Sequence, residues 1–422
     1  MRGRDAPPVP SLLQHRLVRY ASHMISYEDA LATLLAETQP LDTERVAIAD
    51  ALGRVLASDI ASTMRLPAFD NAAMDGYALR AGTAALSKGS IHTVRGMQAA
   101  GDVTLEQTGA DSCEIATGAR MPDGFDTVVP VERIEREGDT IRLLDDTVRG
   151  QHVRKAGDDI AHDEPALPAG RKIDAAALML LAALGIDEAT VRRQPRVAII
   201  CTGKELHAGA GILTPGSIHN SNGPFLRAAL TSCGAHVVQC DTVGDDVIPF
   251  GASLARALDR HVDLVVTTGA VSAGRYDFLP AAMAALGART LFHKVAIRPG
   301  KPLLAARLAN GPLLMALPGN PMAVAVGMRF FVAPLIRTML GLSSERPLRV
   351  LSDETPDLRE GLRHFVLANL FSDDGARLRA RPVGRQTAYR MLPFTQAQVW
   401  LSLSSADGNM ADAYPLDAGH SP

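Results

Sequence analysis

Short apolar runs at 196–201 (RVAIIC), 235–240, 263–268 (DLVVTT) and 313–317 (LLMAL) alternate with segments at 224–231, 250–258 and 322–340 that read as helices. Strands alternating with helices predict βαβ units on a parallel sheet. Ligands of such sheets bind beyond the carboxyl ends of the strands. The Gly-rich stretches after each run are therefore where chemistry is expected. Upstream, Ser26 can cap a helix whose Leu31, Leu34 and Leu35 form an apolar stripe. Residues 60–150 carry short alternating segments such as 127–131 (TVVPV) and 140–144 (TIRLL) between glycines, the pattern of a small β-rich domain. Strand patterns return at 348–351, 364–370 and 399–403 and predict a C-terminal β domain. The longest apolar run, 175–185 (AAALMLLAALG), is too short to span a bilayer and predicts a buried helix.

At 422 residues the chain has room for two to four domains. Its 43 basic and 46 acidic residues leave a net charge of −3, with 47% hydrophobic and 21% charged residues, the profile of an ordinary globular protein. This excludes extensive disorder and a field able to grip nucleic-acid phosphates. With aromatics at 4%, base-stacking platforms are also excluded. The four cysteines (113, 201, 233 and 240) form no CxxC pair, which fits a reducing cytoplasm. Residues 1–23 are basic without an apolar core and read as a leader, not a secretory signal. No HExxH or GxSxG is present, so zinc and serine-hydrolase signatures are lacking.

Five stretches combine residue types that carry chemistry. LPAFDNAAMDGYA (66–78) holds Asp70 and Asp75 at a Gly turn; it reads as a tight turn or as a polar edge facing a ligand. Thr202-Gly203-Lys204-Glu205 follows the first strand, where a carboxylate can hold a metal or cap the next segment. Gly269, Ser272 and Gly274 follow DLVVTT and let backbone N–H groups approach an anion, with Asp277 close behind as a Mg²⁺ carboxylate. Lys294, Arg298 and Lys301 sit in a loop stiffened by Pro299 and Pro302, a fixed cationic site. In Pro318-Gly319-Asn320-Pro321, Asn320 suits a helix N-cap and the helix N-terminus offers anion binding as well. The adjacent acids Asp245 and Asp246 can cap a helix or reach a metal.

In order along the chain, LPAFDNAAMDGYA, GQHVRKAGDDI, CTGKEL, Ser221-Asn222, DLVVTTGAVSAGRYDF, RPGKP and LPGNP resemble the molybdopterin molybdenumtransferase family, which includes bacterial MoeA and the corresponding domain of gephyrin. The resemblance implies a multidomain α/β protein. Its parts are a helical linker region (24–60 and 155–194), a β-rich domain (61–154), an α/β molybdopterin-binding domain (195–342) and a C-terminal β-barrel (343–422). It implies insertion of molybdate into adenylylated molybdopterin with release of AMP. It further implies Mg²⁺, a homodimer with a cleft shared between subunits, and transient contact with molybdopterin adenylyltransferase and molybdoenzyme maturation factors. Neither nucleic acid nor membrane is expected as a partner.

Carried over by position, Asp75, Thr117, Asp159, Glu205 and Asp277 are the catalytic candidates. Glu205, Asp245 and Asp277 would hold the metal. Gly269, Ser272, Gly274, Asp245, Lys294, Arg298, Lys301, Pro318 and Asn320 would bind substrate. The chain departs from the family pattern at Lys204 and Arg275, each in place of an acid, and at Ala270 in place of a glycine. It also carries Leu367 and Ala388 where the family has an arginine and a serine that help hold molybdate. Weaker molybdate binding, substitution by Arg385 or Arg390, or a divergent paralogue that binds a pterin or nucleotide without full transferase activity are the open alternatives.

Overall fold

The computed structural model describes residues 24–83, 85–103, 111–271, 278–309, 311–354 and 358–420. Ser272, Gly274, Arg275 and Asp277 lie outside the described residues. The chain divides into two compact units, one of Met1–Glu44, Gly53–Val55 and Arg192–Pro422, the other of Arg45–Leu52 and Leu56–Val191.

The first unit is built on a six-stranded sheet. Its order is His236–Val243, Arg196–Thr202, Leu264–Thr268, Leu313–Leu317, Leu304–Arg307 and Arg289–His293. The first four strands are parallel, as the strand–helix alternation predicts. The last two are antiparallel, so the sheet is mixed. Along the first strand Val197, Ile199 and Cys201 enter one core, while Ala198 and Ile200 enter the other. That two-residue period, apolar on both faces, is the mark of a strand covered on both sides. Leu226 and Leu230 of helix Asn222–Ser232 cover one face; Phe250 and Leu254 of helix Val247–Asp259 cover the other.

The helical run Pro321–Met339 is long and apolar enough to cross a membrane, yet 89% of it is buried inside the fold. It contains one π turn, Met328–Val332, followed by Ala333–Met339. Pro334 lies just beyond that turn. Proline lacks an N–H and clashes with the carbonyl four residues back, and a wider turn accommodates it.

Five strands of the C-terminal region close into a barrel. Arg363–Ser372 pairs with both Leu378–Pro382 and Val399–Leu403. Leu348–Ser352 and Met410–Pro415 complete the ring. The barrel is joined to the α/β sheet region in three ways. Ile297–Arg298 adds in parallel to Arg363 and His364. The Met322 N–H donates to the Ala388 carbonyl at 3.0 Å. The buried Arg329 forms a bidentate pair with Glu345 (2.6 and 2.8 Å), while its Nε donates to the Pro415 carbonyl at 2.9 Å.

In the second unit a six-stranded sheet runs in the order Thr127–Pro130, Gly76–Leu79, Ser112–Ile115, Ile91–Gln98, Thr140–Leu143 and Ile134–Glu137. Gly76 is required by close approach, because a Cβ there would lie 2.1 Å from the Val129 carbonyl oxygen. The linker expected to be helical over 24–60 and 155–194 is not one helical body. Tyr27–Ala36 belongs to the first unit, where Ala30 and Leu34 are buried. The remainder carries short strands such as Ile60–Ala61 and Pro165–Leu167, with the single α-helix Ala175–Ala183 among its described residues. Asp174 caps that helix, and Ala177 and Leu181 pack with Leu56 and Val191.

Glu345→Ala should destabilise the protein by about 3–5 kcal/mol, because it leaves the Arg329 charge buried without its partner. Replacing both members by apolar residues of similar volume should cost much less. Urea unfolding of the two variants checks this.

Candidate functional site

The four parallel strands end at one edge, and the loops that leave them carry Glu205, Asp245, Gly269, Pro318 and Asn320. Thr202 Oγ1 donates to the Thr268 carbonyl at 3.0 Å, tying two strand ends together. Gly269 follows with φ of 85°, and a Cβ there would lie 2.5 Å from the Thr202 carbonyl oxygen. A side chain is excluded at Gly269 by both backbone conformation and contact. Ala270, where the family pattern has glycine, also sits in the left-handed region with φ of 51°.

The two acids 245 and 246 divide their work. Asp246 caps helix Val247–Asp259 by accepting the Ile248 N–H at 2.8 Å. Asp245 instead accepts the Lys204 N–H at 3.3 Å. That bond brings Asp245 beside the 203–205 turn. The Glu205 carboxylate folds back over Gly203, within 2.7 Å of where a Cβ would stand. Glu205 and Asp245 thus share the ends of two adjacent strands. Among the described residues no group of three or more His, Cys, Asp or Glu side chains could hold a metal. The third expected ligand, Asp277, lies outside the described residues.

Farther along the same edge a cleft of about 950 Å³ opens between the sheet and the barrel. The loops Gly269–Val271 and Pro318–Asn320 form one wall, with Arg298 and Lys301 of the cationic loop beside them. Lys294 does not line the cleft. It sits at the loop base with φ of 70°, its carbonyl accepting the Ile25 N–H at 3.2 Å. Asn320 occupies the N-cap position, but its side chain makes no capping bond and is exposed toward the cleft. The helix end behind it is not a free anion site: Pro321 has no N–H, and that of Met322 is spent on Ala388.

The barrel supplies the opposite wall. Leu367 is buried, and the Gln386 amide takes both its N–H and its carbonyl at 2.7 Å. Arg359, Arg385 and Arg390 also line the cleft. His364 Nε2 accepts the Arg359 N–H at 3.1 Å, which fixes the start of that wall. Gln386, Arg359 and His364 carry no local pattern that marks them; only barrel closure brings them here. Asn222 is similar. Its side chain donates to the Gly319 carbonyl at 2.8 Å and so holds the 318–320 loop. The neighbouring helix is capped through Asn220, which accepts the Gly223 N–H at 3.0 Å, and not through Ser221.

The second unit holds Asp75, Thr117 and Asp159. Asp75 Oδ1 accepts the Thr117 N–H at 2.6 Å and its hydroxyl at 2.9 Å. The backbone N–H first, then the hydroxyl, hold this carboxyl below the usual carboxylate range. Asp70 serves the turn itself, accepting Lys155 Nζ at 2.8 Å and the Ala156 N–H at 2.9 Å. Asp159 is exposed, and its N–H donates to the Leu66 carbonyl at 3.0 Å. Both partner stretches are therefore sewn to the one segment 66–77.

Residues 25–185 match the family described as MoeA N-terminal region (domain I and II), and residues 198–338 match the probable molybdopterin binding domain. A molybdopterin molybdenumtransferase of Synechococcus elongatus is 38% identical over 82% of this chain and 88% of its own length. One of Bacillus subtilis is 35% identical over 86% of both chains. The crystal structure of the molybdopterin biosynthesis moeA protein from Pyrococcus horikoshii OT3 superposes with a TM-score of 0.77 at 26% identity, covering 93% of this chain and 97% of that one.

Thr117→Val removes one of the two donors to Asp75 and keeps the backbone N–H. The Asp75 pKa should rise part of the way toward the ordinary value of about 3.9, read by carbon NMR titration. A depressed folded pKa gives stability that is complete above the unfolded value and is lost as pH falls through the folded one. Acid unfolding of Thr117→Val should accordingly begin at a higher pH than in wild type.

Proposed function

Because the chain belongs to the molybdopterin molybdenumtransferase family, we propose that it inserts molybdate into adenylylated molybdopterin and releases AMP in a Mg²⁺-dependent step of molybdenum cofactor synthesis. The observation that carries this reading is the division of charge along one sheet edge. Glu205 and Asp245 stand at two adjacent strand ends, and Arg298 and Lys301 stand in the cleft beyond the next two. At a strand spacing of about 4.8 Å, the carboxylate end and the far wall are roughly 15 Å apart. An elongated substrate with a phosphoryl group and an oxyanion suits that span.

Carboxylate oxygens at neighbouring strand ends fit a hard divalent ion that keeps part of its water shell. Glu205 and Asp245, with Asp277, would hold Mg²⁺, which when bound offsets charge on the phosphoryl oxygens. The chain's own groups do the remainder. Gly269, with Ser272 and Gly274 of the same glycine-rich stretch, would let phosphoryl groups approach the backbone. Pro318 and Asn320 wall the cleft. Arg298 and Lys301 bind molybdate, a tetrahedral dianion, through charge-assisted hydrogen bonds, with Lys294 adding charge at the loop base. Asp75 enters the reaction as a fixed anion, since Thr117 already supplies two of its hydrogen bonds, and Asp159 is tied to the segment that holds Asp75 through the Leu66 carbonyl.

We read the working form as a cytoplasmic homodimer in which Asp75, Thr117 and Asp159 of one copy complete the cleft of the second. It would receive its substrate from a molybdopterin adenylyltransferase and pass product to molybdoenzyme maturation factors. Among the described residues the four cysteines form no disulfide, which fits a reducing compartment.

Expression in a strain lacking this step should restore molybdoenzyme activity; failure with soluble, folded protein would favour a paralogue that only binds a pterin or nucleotide. Glu205→Gln and Asp277→Asn should each lower turnover at limiting Mg²⁺ by about tenfold or more while leaving the fold intact. Wild-type Mg²⁺ dependence in both would remove these acids from the metal site. Mixing Asp75→Asn with Asp277→Asn should recover activity through heterodimers, and an inactive mixture after demonstrated subunit exchange would rule out the shared cleft.

A further inference from the structure

Past the 203–205 turn the chain enters a short two-stranded ribbon that the proposed reaction does not use. Leu206–His207 pairs in parallel with Ile218–His219. The Ile218 N–H donates to the Glu205 carbonyl at 2.8 Å, and the Asn220 N–H donates to the His207 carbonyl at 3.0 Å. In this register His207 stands opposite His219. Opposite residues of adjacent strands lie about 4.8 Å apart and share a face, so both imidazoles leave the ribbon on the same side. Their ring centroids are 6.1 Å apart, and both residues are exposed.

The loop between the strands sets each ring. His219 Nδ1 lies 2.9 Å from the Gly209 carbonyl oxygen. A carbonyl only accepts, so Nδ1 carries the proton and Nε2 of the neutral ring carries the lone pair. A metal-bound histidine ordinarily has its far nitrogen held in this way. His207 is set by Gly211, where a Cβ would lie 2.6 Å from His207 Nε2. Among the described residues the His207 ring makes no hydrogen bond, and the His219 ring makes only the one to Gly209. An ion about 2.1 Å from one nitrogen of each ring sits between centroids roughly 5–6 Å apart, close to the spacing found. Imidazole nitrogens suit Zn²⁺, Ni²⁺ and Cu²⁺, whereas Mg²⁺ takes oxygen.

We propose that His207 and His219 form a transition-metal site, separate from the carboxylates at the strand ends, in which one ion bridges the two strands and braces the loop between them. Water completes the coordination, because no group of three His, Cys, Asp or Glu side chains is in place among the described residues. The bridge closes the ribbon that continues from Glu205, so an occupied site stiffens the backbone beside that carboxylate. This inference does not depend on the reading of the cleft.

The test is calorimetric titration of nickel chloride into the full chain, with Mg²⁺ in excess to occupy the carboxylates. His207→Ala and His219→Ala should each weaken Ni²⁺ binding about tenfold or more, the loss of one of two protein ligands. His236→Ala, at the exposed start of a strand, should bind as wild type. Gly211→Ala keeps both histidines but displaces the His207 ring, and should weaken binding as well. All four positions are exposed, so the variants should keep the fold. Amide hydrogen exchange at Ile218 and Asn220 should slow with Ni²⁺ in wild type and not in His219→Ala. Wild-type affinity in both His207→Ala and His219→Ala, an equal loss in His236→Ala, or a loss confined to Glu205→Gln would each overturn the site. Unchanged exchange in a chain that binds Ni²⁺ through the pair would overturn the brace.

Discussion

The buried pair between Arg329 and Glu345 is the constraint on which the cleft depends. Arg329 side-chain exposure is 4% and that of Glu345 is 10%. Desolvating two such charges costs several kcal/mol each, and only close bidentate geometry with further hydrogen bonds offsets that cost. Here the third guanidinium donor reaches the Pro415 carbonyl, and the Phe330 and Tyr414 rings lie 5.5 and 5.3 Å from Arg329 Cζ. A long core helix and a barrel strand are thereby held to one arrangement. An apolar contact would bind the same surfaces without specifying their register so narrowly. The π turn that carries Arg329 belongs to this constraint, because it lets the helix pass Pro334 and continue.

Once the barrel is fixed, the chemistry along the sheet edge follows from the backbone. Parallel strands deliver successive loops to one side, and Gly269 lets the third strand end press against Thr202. Carboxylates collect at one end of that edge. Cations collect at the other, where the Ile297–Arg298 strand joins the barrel. Opposite charges kept apart by strand spacing do not cancel each other, so each end retains its own ligand preference. Two histidines beside the strand ends serve structure: His293 Nε2 contacts the Val271 carbonyl at 3.1 Å, and His219 Nδ1 contacts that of Gly209 at 2.9 Å.

The second unit follows a different logic. Its catalytic candidate is exposed, and burial plays little part in tuning it. Thr117 fixes Asp75 by two hydrogen bonds to one oxygen, which favours the anion and fixes its direction. Gly76, next in sequence, allows the strand to lie against Val129, so the acid leaves the sheet at a set point.

Local pattern was enough to determine the parallel strands, their flanking helices, the turn glycines and the cationic loop. Each depends on periodicity or on residues a few positions apart. Motif order along the chain also identified the family. The mixed character of the sheet, the division of the 24–60 and 155–194 region between different bodies, and the departure of Lys294 from the cleft were not legible. Strand direction at a sheet edge and the facing of a loop residue are set by distant partners. Gln386 shows this most plainly, and so does the bond that Asn222 makes. Their contacts are with residues 19 and 97 positions away. Barrel closure and loop packing bring those partners together, and no local spacing encodes them.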